Sequence, residues 1–154
     1  MKKQLKLVLL LLGISFILLP GCEKKSHSTT IKATNLVNLN PKGAPIFTGT
    51  FTATGGLNTS GTHLMFVVPE KDPTFIDCTT TMTAPEGTFI ILMHCSLTAN
   101  TGEWHIASGS GTGLYKFIVG SGTLTMMFPP SPSVPPGALG VETMTGKVFP
   151  EGIW

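Results

Sequence analysis

From residue 46 to 54 the chain alternates strictly. Phe47, Gly49, Phe51 and Ala53 fall on one face and Thr48, Thr50, Thr52 and Thr54 on the other, the period of an antiparallel strand with one buried side. Similar short apolar stretches, punctuated by Gly, Pro and polar clusters, predict strands over residues 31–39, 46–54, 62–68, 74–83, 88–97, 103–108, 121–128 and 140–148. The strand over 62–68 is apolar on both faces through Leu64, Met65, Phe66 and Val67, so it is expected to be central in a sheet or to lie under a loop.

Ala84-Pro85-Glu86-Gly87-Thr88 reads as a hairpin turn. With Glu86 and Gly87 as a two-residue loop, Pro85 pairs with Thr88, and Cys78 falls opposite Cys95 in a non-hydrogen-bonded pair. Such pairs bring Cα atoms to about 4.5 Å, within disulfide reach, so a Cys78–Cys95 bond is expected. The same count puts Thr80, Met82, Phe89, Ile91 and Met93 on the cysteine face, the expected interior. His94 falls on the opposite face from both sulfurs, which argues against a metal site made from these three residues.

Twenty-two Thr and eighteen Gly among 154 residues leave almost no helical pattern. Once the N-terminal segments are set aside, about 120 residues remain, enough for one core. The expectation is an all-β fold, a small antiparallel β-barrel of about eight strands, with a two-sheet β-sandwich as the alternative.

The N-terminus reads differently. Lys2, Lys3 and Lys6 precede an uncharged run from Leu7 to Leu19, then Pro20, Gly21 and Cys22. A run of 13 residues is short of the roughly 20 that a membrane-spanning helix needs, and the parts are those of a signal peptide. Leu19-Pro20-Gly21-Cys22 resembles the lipobox of bacterial lipoproteins, which implies cleavage before Cys22 and lipidation of its thiol. Residues 1–21 are thus read as the leader, 22–30 as a lipidated polar tether and 31–154 as one domain. The expected address is the bacterial cell envelope, the outer membrane rather than the inner, with the lipid as membrane anchor.

Without the leader, seven Lys face eight acidic residues, and the chain has no Arg, giving a net side-chain charge of −1. No basic stripe remains for a phosphate backbone, so nucleic acid is not an expected partner. One cysteine for lipid and two to pair fits an oxidising compartment.

Residues 102–115, Gly-Glu-Trp-His-Ile-Ala-Ser-Gly-Ser-Gly-Thr-Gly-Leu-Tyr, lead into Gly120-Ser121-Gly122-Thr123. These glycines lack the Gly-Lys-Ser/Thr ending and the βαβ setting of a phosphate loop. Trp104-His105-Ile106-Ala107-Ser108-Gly109, Tyr115 and Gly120-Ser121-Gly122-Thr123 resemble the allene oxide cyclase barrel-like superfamily and its bacterial secreted relatives. Weaker likeness extends from Phe47 to Gly56 and over Glu142-Thr143-Met144-Thr145-Gly146. The resemblance implies a small antiparallel barrel. A cyclase would add an apolar lipid-like substrate and a buried acid, and no residue of this chain could be matched to that acid.

Residues 128–137, Phe-Pro-Pro-Ser-Pro-Ser-Val-Pro-Pro-Gly, read as a stiff extended connector of polyproline II character. Phe149 or Trp154 is a candidate plug for one barrel end. The four His lack metal-ligand spacing, and neither Gly-x-Ser-x-Gly nor His-Glu-x-x-His occurs. Glu103 and His105 share a strand face, where a solvated polar pair is the ordinary reading. No catalytic residue, metal or cofactor is therefore expected.

Three functions stay open: a non-catalytic envelope protein with a scaffold role and an envelope protein partner, a carrier or sensor of a small apolar ligand, and a cyclase-like enzyme. A ligand would be lined by Phe47, Phe51, Met82, Phe89, Ile91, Met93 and Ile106, which are equally the side chains of a packed core. An eight-stranded barrel is wide enough for either. A void of about 300 Å³ with an opening separates the ligand reading from the scaffold.

Overall fold

The computed structural model describes residues 27–38 and 45–151. The leader, Cys22 and Trp154 lie outside the described residues. Eight strands are present: β1 (His27–Asn38), β2 (Ile46–Gly55), β3 (Thr59–Pro69), β4 (Phe75–Ala84), β5 (Gly87–Ser96), β6 (Thr101–Ile106), β7 (Phe117–Met127) and β8 (Gly140–Glu151). Each runs antiparallel to the next, and β1 pairs with β8 to close the barrel, with Ile31 opposite Met144 and Thr34 opposite Val141.

The strands form where alternation sets apolar side chains against threonines. Ile31 and Ala33, Phe51 and Ala53, Met82, Phe89, Ile91, Met93, Ile106, Leu124 and Met144 are buried inside, while Thr50, Thr52, Thr54 and Thr83 face out. The interior assignment of Thr80, Met82, Phe89, Ile91 and Met93 holds. β1 starts at His27, four residues before the expected strand and inside the stretch read as tether. Thr29 there is fully buried, paired with Gly55 on one side and Gly146 on the other. β3 sends His63, Met65 and Val67 inward and leaves Phe66 and Val68 exposed, so its outer face is not covered.

Trp104 is the largest fully buried side chain. Its Nε1–H donates to the carbonyls of Thr123 at 3.1 Å and Thr145 at 3.2 Å. A Cβ on Gly146 would sit 2.7 Å from the indole and 2.2 Å from the carbonyl oxygen of Ser121. The glycine of β8 is therefore what lets the backbone and the ring approach.

The end of the barrel holding the β2–β3, β4–β5 and β6–β7 connections is closed. A short 3₁₀ turn, Gly113–Tyr115, folds over the β4–β5 turn. Leu114 N–H donates to the carbonyl of Glu86 at 3.0 Å, and the Tyr115 hydroxyl donates to Glu86 Oε2 at 3.1 Å. Tyr115 also packs edge-on against Phe89, with ring centroids 5.1 Å apart.

This overlying turn explains a correction to the hairpin. Ala84 pairs with Gly87, so the two-residue loop is Pro85-Glu86 and the register moves by one residue on each strand. Gly87 has φ +147°, and a Cβ there would lie 2.2 Å from the Thr112 carbonyl oxygen, so the closing position must be glycine. Cys78 consequently faces Met93, and Cys95 faces Ile76. The cysteines stay on the inner face but are diagonal rather than opposite, and the expected disulfide is absent: both are free, buried thiols. Diagonal residues lie about 7–8 Å apart, beyond the Cα separation of a relaxed disulfide.

The segment after β7 also departs from its expected form. Three successive turns, Ser131 N–H to Phe128 O, Val134 N–H to Ser131 O and Ala138 N–H to Pro135 O, replace an extended connector. Val134 and Ala138 pack on Val141 in a small apolar cluster of their own, which favours the compact path. Phe149 lies in β8 opposite Val119 rather than plugging an end.

The buried thiols yield a direct test. The neighbouring Cys95 and burial raise the Cys78 pKa and keep its thiol protonated, which suppresses reaction with a thiol reagent. Non-reducing peptide mapping of the domain should find Cys78 and Cys95 unlinked, with neither reacting until denaturant is added. A Cys78–Cys95 linked peptide from the native domain would contradict the register.

Candidate functional site: a cavity at the barrel mouth

The opposite end receives the C-terminal ends of β1, β3, β5 and β7, and here the interior is not filled. A cavity of about 410 Å³ is bounded by Phe47, Met65, Val67, Ile76, Cys78 and Met126, with Leu97, Phe128 and Leu139 nearer the rim. Phe47 is the one residue of the seven candidate lining residues that borders it. Phe51, Met82, Phe89, Ile91, Met93 and Ile106 lie in the continuous core. Phe51 meets Phe89 edge-on at 6.4 Å, as in an ordinary packed interior.

Three polar residues that were not singled out from the sequence converge beside the cavity. Asn35 near the end of β1 and Glu142 near the start of β8 both line it, and His63 of β3 stands behind Asn35. Asn35 Nδ2 donates to Glu142 Oε1 at 3.0 Å. Asn35 Oδ1 lies 2.8 Å from His63 Nε2 and, being a carbonyl oxygen, accepts its proton. This assigns the Nε2–H tautomer to a neutral His63.

Each of the three is inside because of strand parity. Asn35 shares the face of Ile31 and Ala33, His63 that of Met65 and Val67, and Glu142 that of Met144 and Val148. The His63 ring fits because its partner on β2 is Gly49, where a Cβ would come 2.7 Å from Cε1.

Burial governs the charge of the trio. Glu142 is 6% exposed, and burial raises its pKa above the usual 4.5, only partly offset by the Asn35 hydrogen bond. Burial pushes His63 below its usual 6.5, against an opposing contribution from the Thr50 backbone. Both groups are thereby driven toward their neutral forms, which suits a site with apolar walls.

The outer face carries a separate charged group. His94 Nδ1 lies 2.8 Å from Glu70 Oε1 and 3.0 Å from Asp77 Oδ1, and its ring stacks on Phe75 at 5.3 Å. The hydrogen bond to Asp77 and the nearby carboxylates raise the His94 pKa, so this is a solvated ion-pair cluster. Its ligand atoms lie within 4.8 Å of one another. Cys78 and Cys95 are buried on the other side of the sheet from His94. Glu103 and His105 are both exposed on β6 and take no part in the cavity.

The fold and the cavity define an eight-stranded up-and-down barrel, solid at its closed end and hollow at its mouth. No protein-family model, curated protein or solved structure matches the chain.

Stability as a function of pH reports on Glu142. A raised folded pKa makes its contribution fully present below the unfolded value near 4.5 and lost as pH climbs through the folded pKa. His63 has the opposite sign, its contribution being lost as pH falls below 6.5 through its lowered folded pKa. Urea midpoints measured from acid to neutral pH should therefore show the Glu142→Gln variant gaining on the wild type as pH rises above about 4.5. Parallel curves for the two proteins would contradict a buried, proton-holding Glu142.

Proposed function

We propose that this protein binds a small apolar molecule in the mouth of its barrel, as an envelope carrier or sensor. The observation that supports this most is the cavity of about 410 Å³, apolar on most sides, with a buried carboxyl and amide in its wall. Its size lies within the range of about 300–1,000 Å³ common to small-molecule sites. A scaffold needs no such void, and leaving one unfilled forfeits packing energy.

The site's polar content fits binding better than structural need. Replacing Asn35, His63 and Glu142 by apolar side chains would remove three desolvation costs at once. Their retention is accounted for if the carboxyl faces a ligand.

The proposed anchor agrees with this placement. Cys22 precedes the first residue of β1 by five positions, and β1 begins at the closed end. A chain extends at most about 3.5 Å per residue, so a lipid at Cys22 holds the closed end near the bilayer and turns the mouth away from it. Ligand exchange would then take place on the side open to the envelope space.

A second reading has one observation in its favour. A carboxylic acid kept neutral in an apolar cavity is the group a general acid enzyme uses, and Glu142 would fill the role of the acid that the cyclase resemblance implies. Turnover of a bound molecule, rather than its recovery unchanged, separates this reading from carriage.

An apolar fluorophore such as N-phenylnaphthylamine tests the binding reading. It should bind the domain saturably with enhanced emission. Val67→Trp, which fills the cavity from β3, should abolish binding while leaving the far-ultraviolet circular dichroism unchanged. Absence of saturable binding by the folded wild type would overturn the reading. The anchor is tested separately: Cys22→Ser should leave an uncleaved precursor that takes up no labelled fatty acid, and normal labelling would refute lipidation there.

A further inference from the structure

Of the polar groups around the cavity, most are already committed. The Asn35 amide gives one of its two N–H groups to Glu142 and its carbonyl to His63. Glu70 sits at the rim and is paired with His94. The Cys78 thiol is buried beside Cys95 and is at most a weak donor. Asn35 is the hydrogen-bond partner of the Glu142 carboxyl among the described residues, and it donates to Oε1.

A carboxyl that accepts through Oε1 and stays neutral carries its proton on Oε2. With the Asn35 carbonyl and one of its two N–H groups engaged, that O–H and the second Asn35 N–H are the strong side-chain donors left for anything entering the cavity. No lysine borders the cavity among the described residues, and the chain has no arginine. An anionic ligand head would therefore meet a second carboxyl group with no cation to offset its charge. An uncharged oxygen, by contrast, would accept the Glu142 proton in a hydrogen bond shielded from water.

We infer that Glu142 selects apolar molecules bearing one uncharged oxygen acceptor, such as a ketone, ester or alcohol, over the matching carboxylates and over plain hydrocarbons. This rests on the binding reading above and names the ligand class of the same cavity. Selection arises in two parts. The hydrocarbon leaves the buried O–H unpaired, and the carboxylate brings a negative charge into an apolar site beside an acid. The titratable groups facing Glu142 are His63 through Asn35, Cys78 across the cavity and Glu70 at the rim; none of them supplies a positive charge while His63 is neutral and His94 stays on the outer face.

A matched series tests this at neutral pH by displacement of N-phenylnaphthylamine: butylbenzene, phenylbutanol, phenylbutanone and phenylbutyrate. The alcohol and ketone should displace the probe at concentrations about tenfold or more below those of butylbenzene and phenylbutyrate, a factor of ten corresponding to about 1.4 kcal/mol. Glu142→Leu should shrink the advantage of the alcohol and ketone over butylbenzene, leaving butylbenzene itself at its wild-type level or tighter. Glu142→Gln, which retains an N–H donor, should keep the order. Equal displacement by all four compounds, preference for phenylbutyrate, or an advantage undiminished by Glu142→Leu would overturn the inference while leaving apolar binding intact. Displacement by none of the four from a domain that binds the fluorophore would likewise overturn it. Failure of the fluorophore itself to bind marks failure of the underlying reading instead.

Discussion

Closing the sheet between β1 and β8 places every second residue of eight strands in a space shielded from water. An eight-stranded barrel has an interior just wide enough for its own side chains, so what each inward position carries decides whether the space is filled. At the closed end the inward residues are large: Phe51, Met82, Phe89, Ile91 and Trp104 meet across the axis, and Tyr115 caps them. At the mouth, inward positions of β1, β3 and β8 carry Asn35, His63 and Glu142, and the walls part around a cavity. One topological constraint thus produces both a packed core and a site.

The polar trio is a consequence of the same constraint. A lone buried carboxylate or imidazole would be costly in this interior, and each is relieved in two ways, by a pKa moved toward its neutral form and by sharing the Asn35 amide. The three residues sit on strands far apart in sequence, Asn35 and Glu142 being separated by 107 positions, and only closure of the barrel brings them together. Support for the proposed function therefore depends on β1–β8 pairing as much as on the chemistry of any one side chain.

The strand positions and their inward faces were legible because period-two alternation is a local property. It placed Phe51, Met82, Phe89, Ile91 and Met93 inside and marked Thr50, Thr52 and Thr54 as outward, as the structure has them. The same parity, applied to polar residues, would have put Glu142 with Met144 and Asn35 with Ala33. Treating Glu142 only as part of a weak motif, and the four His only by their spacing, hid that signal. The exact hairpin register was not local: Gly87 closes the turn because Thr112, from another connection, packs against it. Nor was the compact path of residues 128–139, since its turns are stabilised by packing against Val141.

Ligand binding as proposed turns on Glu142 being an uncharged acid at the edge of an otherwise apolar cavity. The most direct measurement is a pH titration followed by carbon-13 NMR of the glutamate side-chain carboxyls, with Glu142 assigned by comparison with the Glu142→Gln variant. The Glu142 resonance should keep its protonated shift above the pH at which exposed glutamates titrate. A resonance that ionises with those glutamates, near 4.5 or below, would contradict an uncharged Glu142.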